Sequence, residues 1–256
     1  MELLESHLGA VEGFQQFLTV DQTHAYVQAL HRSSGGVTRL EEIGTSRAGQ
    51  PLQMLTVGSG SRQAIVIGMP HPNEPVGTLA ALRLAELLVR DTSLRERLGM
   101  AWNIVPIADP DGARLNEGWF AGPIDRKTYA AHLHRPPFAE QFEWTFHRSD
   151  LEQPGLVALP ESSAVMDVID TLRPELLLSM HNSESGGLYA YVTDTVPDLA
   201  PAFGAIRRLT GMPFDLGEPE GARRHDREED HDRDLHDARD DLRRARACGQ
   251  DLELLD

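Results

Sequence analysis

The chain is poor in the features that tie a protein to an oxidising compartment, a membrane or a polyanion. It has a single cysteine, Cys248, so no intramolecular disulfide can form and nothing calls for an oxidising environment. The N-terminus lacks the basic start and apolar run of a secretory signal, carrying Glu2 and Glu5 instead. No stretch approaches the roughly 20 apolar residues of a membrane span, and a cytoplasmic protein is expected. Positive charge is also scarce. With 24 Lys and Arg against 40 Asp and Glu, the formal charge is −16, which disfavours nucleic acid or an anionic membrane as a partner. What remains is ordinary: 40% hydrophobic and 25% charged residues over 256 positions, enough for one large domain or two small ones with a full core.

Helical patterns alternate with short apolar runs. Residues 21–33 read as a helix capped by Asp21. Residues 37–43 and 52–58 are apolar-rich and flank a turn at Ser46-Arg47-Ala48-Gly49. The runs 64–69, 102–108 and 175–180 are continuously apolar, as in strands covered on both faces. Residues 75–90, 161–172 and 198–210 read as helices, and 188–193 as a strand. Asp109-Pro110-Asp111-Gly112 reads as a turn, and 113–160 has no clear periodicity, a length of irregular chain that is often functional. The alternation predicts an α/β fold with a mixed, largely buried sheet. After Glu220 the text turns to Arg, Asp and His. Residues 221–256 read either as a solvated, charge-laced helix or disordered tail, or as the product of a shifted reading frame.

Three polar clusters each follow a predicted strand: His71-Pro72-Asn73-Glu74, then Asp109 to Trp119, then His181-Asn182-Ser183-Glu184. Ligand sites in open α/β sheets gather beyond the carboxyl ends of strands, so the three clusters have one place to meet. Two imidazoles and a carboxylate form a known catalytic zinc set that leaves a fourth position for water. Each piece alone is weak: most His-x-x-Glu pairs and most Asp-Pro-Asp-Gly runs carry no chemistry. His132, His134 and His147 read as satisfied polar residues, and His225, His231 and His236 as weak adventitious metal binders at most.

Together and in order, the pieces resemble a known family. IGMPHPNEPVG resembles the first zinc-ligand segment of the carboxypeptidase A-like metallocarboxypeptidases. DPDGARLNEGW resembles their Asn-Pro-Asp-Gly segment, with Asp109 in place of Asn, and LSMHNSESGGLY the segment of their third ligand. EEIGTSRAGQPLQMLTVG resembles their entry hairpin, and the resemblance covers about residues 20–220.

The resemblance implies a three-layer α/β fold, a mixed largely buried β-sheet with helices on both faces, whose C-terminal part is missing. It places an incomplete catalytic domain at 1–220 and the charged tail at 221–256. One Zn²⁺ per chain would be held by His71, Glu74 and His181. Arg114 would match the arginine that steadies the carbonyl oxygen and developing oxyanion. Arg135 is the candidate grip for a terminal carboxylate, with Asn116 a weaker lining residue. The family's general base, a late glutamate, has no counterpart: Glu228, Glu229 and Glu253 sit in no strand-like context, and Glu184 is a residue behind the metal ligands at best. The implied activity is zinc-dependent removal of a C-terminal residue from a peptide. The alternatives are a truncated relative that binds zinc and peptide without turnover, or a zinc-dependent hydrolase of acyl-amino acids.

Overall fold

The structure, a computed structural model, describes residues 15–146, 157–183, 187–194, 196–197 and 199–215. These form two compact units, 15–183 and 187–215.

In the first unit, helix α1 (Val20–Ser33) begins at Thr19, not at the expected Asp21. Thr19 and Gln22 form a reciprocal capping box, which satisfies two of the helix's orphan amide donors. Strands β1 (Thr38–Thr45) and β2 (Pro51–Val57) form an antiparallel hairpin, with Gly49 at φ 81° in its turn. Strand β3 (Arg62–Gly68) leads into helix α2 (Val76–Arg90), a short helix α3 (Thr92–Leu98) capped by Asp91, and strand β4 (Met100–Val105).

The segment beyond β4 departs from the sequence reading. Asp109-Pro110-Asp111-Gly112 does more than turn the chain. Asp109 is an N-cap whose carboxylate accepts from Gly112 N, and Pro110 opens helix α4 (Pro110–Phe120). Helix α5 (Arg126–His132) and two 3₁₀ turns, Phe138–Glu140 and Glu143–Thr145, follow in the region that showed no period. Helix α6 (Pro160–Leu172) and strand β5 (Leu176–Met180) complete the unit. In the second unit, helix α7 (Leu199–Thr210) is present, but the strand expected at 188–193 is reduced to an isolated bridge between Leu188 and Phe214. Residues 221–256 lie outside the described residues.

The sheet order is β1-β2-β4-β3-β5. The β1/β2 and β2/β4 pairs are antiparallel, and β4/β3 and β3/β5 are parallel, so the sheet is mixed as expected. Alternation along β3 shows the three layers. Ala64 and Val66 pack with Val27 and Leu30 of α1 and with Ala81, Ala85 and Leu88 of α2. Ile65 and Ile67 point the other way, to Phe142 and to Val165 of α6. A strand covered on both faces has no polar side, which is why β3 and β4 read as unbroken apolar runs. Among the described residues no helix is long and apolar enough to cross a membrane.

Candidate metal centre

The chain leaves β3 to form β4 on one side and later returns to place β5 on the other. Such a reversal opens a crevice at the carboxyl ends of the strands, here between the ends of β3 and β5. Gly68 pairs with Met180 at the last step of the ladder. His181 is therefore the first residue past β5, and His71 lies just past β3.

Two local features bring them together. Met69 adopts φ 47°, a left-handed conformation that a side chain disfavours by about 1–2 kcal/mol. It redirects the chain so that His71, Asn73 and Glu74 turn into the interior, each only 2% exposed. Gly77, in the first turn of α2, lies directly on the end of β5: a methyl group there would sit 2.0 Å from the Met180 carbonyl oxygen. The missing side chain lets helix and strand end approach this closely.

The Glu74 carboxylate joins the two rings. Oε1 lies 2.9 Å from His71 Nδ1, and Oε2 lies 2.8 Å from His181 Nδ1. The imidazole centroids are 4.8 Å apart. The other edge of His181 meets a second carboxylate, with Nε2 2.9 Å from Glu143 Oε2, while Ser179 Oγ donates to Glu143 Oε1. His71, Glu143 and His181 each offer a donor atom within 4.8 Å of the other two. His71 Nε2 is buried without a hydrogen-bond partner.

Electrostatics follow from this packing. Burial opposes ionisation of Glu74, but hydrogen bonds and charge from His181 and His71 outweigh it and hold its pKa at about 2. Burial likewise opposes charge on His181, yet Glu143 and Glu74 on its two edges lift its pKa to about 10. Glu143 is pulled below its ordinary value, against its burial, by His181 and Ser179. The centre thus holds two ionised carboxylates and demands positive charge between them.

Nitrogen and carboxylate oxygen from this many directions suit a borderline cation such as zinc, and the orphaned, buried His71 Nε2 shows that the protein's own groups leave the cluster incompletely satisfied. The donor set fits the ion expected from the sequence.

Of the residues expected from sequence, the structure gathers His71, Glu74, His181 and Arg135. Arg135 Nη1 donates to Glu74 Oε1 at 2.9 Å, and Nη2 lies 3.1 Å from His71 Nδ1. Arg114 stands elsewhere. On α4 its guanidinium is held by Asp21 at 2.6 Å and by Gln50, with Glu117 3.6 Å away, and no hydrogen bond or ion pair joins it to the histidines among the described residues. It braces α1 and the hairpin turn against α4, and nothing in this placement supports the oxyanion role. Asn116 does not line the centre either. Fully buried, it donates to Gly112 O and His134 O and accepts from Trp119 Nε1 and His134 N. All four amide valences are spent, two within α4 and two tying it to His134, next to Arg135. Glu184 lies outside the described residues. Sequence reasoning missed Glu143, which sits in a 3₁₀ turn with no motif or periodicity to mark it.

Residues 23–211 match the zinc carboxypeptidase family. The chain belongs to that family. Its fold is shared with carboxypeptidase A from Helicoverpa armigera, at 20% identity and TM-score 0.50 over 80% of this chain and 57% of that one. Thrombin-activatable fibrinolysis inhibitor matches at 15% identity and TM-score 0.51, over 75% of this chain and 57% of that one. The chain spans little more than half the length of either. Family membership and the two-histidine, carboxylate cluster agree in pointing to a metal centre at the carboxyl ends of β3 and β5.

Proposed function

We propose that the chain is a zinc-dependent carboxypeptidase acting on the C-terminal bond of peptides. The observation that carries this reading is the convergence of two imidazole Nδ1 atoms on one buried carboxylate at the ends of adjacent parallel strands. His71, Glu74 and His181 would hold the ion, and Glu143 is a second carboxylate within reach. When bound, zinc polarises the scissile carbonyl and makes water acidic enough to attack near neutral pH.

The chain's own residues supply the rest. Glu143 accepts a hydrogen bond from Nε2–H of His181, which fixes the ring's orientation and leaves Nδ1 for ligation. Asn182 N, 3.4 Å from Glu74 Oε2, adds a weak constraint on that carboxylate. Arg135 stands beside the ligands with its guanidinium partly exposed, where it can pair bidentately with a terminal carboxylate. Asn116 keeps that arginine's segment in place.

The test is zinc content by mass spectrometry together with chelator-sensitive release of C-terminal residues from a peptide mixture. The reading expects one zinc per chain, lost in His71→Ala and His181→Ala, and residue release that stops with chelator. Cleavage of acyl-amino acids in place of peptides would move the assignment to an amidohydrolase, and unchanged zinc content in both variants would overturn it.

A further inference from the structure

The backbone on either side of Arg135 is anchored. His134 N donates to Asn116 Oδ1 at 2.9 Å, and His134 O accepts from Asn116 Nδ2 at 2.8 Å. On the other side, Pro136 O accepts from Gln141 Nε2 at 2.7 Å. Asn116 and Gln141 are both buried. Pro136 and Pro137 follow Arg135 directly, and their rings fix φ at both positions. The freedom that remains at this point of the chain belongs to the arginine side chain, which is 35% exposed.

That side chain occupies a contested seat. Nη1 donates to Glu74 Oε1 at 2.9 Å, with Asn73 Oδ1 3.5 Å away, and Nη2 lies 3.1 Å from His71 Nδ1. The same Nδ1 is 2.9 Å from Glu74 Oε1. One ring nitrogen cannot serve both neighbours. With the proton on Nδ1, the ring satisfies the carboxylate and opposes the guanidinium donor. With a lone pair on Nδ1, it satisfies the guanidinium and faces the lone pairs of the carboxylate. Either tautomer leaves one of these short contacts unfavourable.

The atoms that Arg135 engages belong to two of the residues assigned to the ion. A guanidinium and a metal ion are both positive, and both need the lone pairs of Glu74 Oε1 and His71 Nδ1, so they exclude each other there. Ligation takes a lone pair from each atom and removes the conflict that the guanidinium leaves. It also turns Arg135 from a needed counter-charge of Glu74 into surplus positive charge beside the centre, suited to an anion from solvent.

We propose that Arg135 couples metal uptake to carboxylate capture: its guanidinium either holds Glu74 and His71 or, displaced by the ion, pairs with an organic carboxylate. The proposal rests on the zinc carboxypeptidase reading for the identity of the ion and the class of anion. The anchored backbone confines the exchange to side-chain rotation. Because the coupling is a property of one equilibrium, it is reciprocal: zinc strengthens carboxylate binding, and carboxylate strengthens zinc binding by the same factor.

The experiment measures Zn²⁺ affinity of the full chain by competition with a chromophoric chelator. Arg135→Met keeps an unbranched stem and removes the charge. It should bind zinc about tenfold more tightly than the parent, the scale of one hydrogen bond to a charged group. A residue that only supports the ligands would shift affinity the other way. Arg135→Lys keeps a cation but loses the planar fork, so it should fall between the two, and it still reads the sign if methionine is not tolerated. In the parent chain N-acetylglycine should raise zinc affinity several-fold, and N-acetylglycinamide should not. In Arg135→Met the carboxylate should lose this effect.

A folded Arg135→Met that binds zinc no more tightly than the parent would overturn the coupling. So would a carboxylate effect that persists in that variant, since it would come from direct contact of the anion with the ion. The failure of the carboxypeptidase reading looks different: zinc content unchanged in His71→Ala and His181→Ala, whatever Arg135 does.

Discussion

Replacing Asn116 with alanine tests whether α4 is fastened to the Arg135 segment by one amide. The substitution removes the partner of Trp119 Nε1, His134 N and His134 O in a single step. A buried group left unpaired costs about 1–3 kcal/mol, and a partner that water can reach costs less. Trp119 is buried and His134 is partly exposed, so the upper part of that range applies to the indole and the lower part to the two main-chain groups. The expected loss is about 4 kcal/mol, a large share of the 5–15 kcal/mol typical of a whole domain. Urea unfolding should show a lower midpoint with an unchanged slope. Asn116→Asp sharpens the test, because a carboxylate still accepts from Trp119 and His134 N but confronts the carbonyls of Gly112 and His134. Burial favours its protonated form, which can donate again, so its deficit against the parent chain should shrink as the pH falls from 7 towards 4. An alanine variant within about 0.5 kcal/mol of the parent, on the scale of a plain surface change, would refute the fastening.

Three further outcomes follow from the same structure. Glu143→Gln should weaken zinc binding roughly 10- to 100-fold in chelator competition, since it removes the charge behind His181, with little change in the fold. Gly77→Ala should destabilise the chain by about 2 kcal/mol and lower zinc occupancy, because the new methyl drives α2 off the Met180 carbonyl and shifts His181 with it; an unaltered melting temperature would count against the close approach. Burial raises the pKa of Asp109, so the folded state binds its proton more tightly than the unfolded chain does. The resulting loss of stability grows as pH rises through the interval between the unfolded value, about 3.9, and the higher folded one. Asp109→Asn, which can still accept from Gly112 N, should be more stable than the parent at pH 7, and the difference should fade on acidification.

The elements most readily read from sequence are those whose burial leaves a one-dimensional trace. Strands β3 and β4, buried on both faces, appear as unbroken apolar runs, and helices α1, α2 and α6 as apolar residues at helical spacing. Helix α4 was hidden by its own start signal: Asp-Pro-Asp-Gly opens turns and caps helices alike, and only the register of Asp109 against Gly112 separates the two. Helix α5 has seven residues, none buried, so it has no apolar face to announce it. At the centre, His71 and Glu74 were visible because the two candidate ligands lie on one turn, and His181 because it ends a strand. The part of Glu143 was invisible for the opposite reason. It meets His181 across 38 positions of chain, from a turn whose conformation is fixed by tertiary bonds to α6 and not by local propensity. Arg114 shows the converse case, where a matching residue type in a matching motif bonds Asp21 and Gln50 and not the residues of the centre.

The contact between Glu74 and His181 spans 107 positions, and among the described residues β5 pairs with β3 alone. Closing a loop of that length costs about 4 kcal/mol of chain entropy, apart from the constant term. The hairpin of β1 and β2 joins over a few residues, whereas the β3/β5 seam closes only at that larger entropic cost. The centre is therefore expected to form after the hairpin, and among the described residues it is held by a strand with one neighbour. A cation that bridges His71 and His181 stabilises that seam by mass action, in proportion to the logarithm of its concentration over its dissociation constant. Withdrawing the cation should then speed hydrogen exchange first at the amides of residues 176–180, while the hairpin keeps its protection. If the proposed centre holds its ion, metal occupancy and the cohesion of β5 become one equilibrium, and a chelator would act on this chain as a local denaturant.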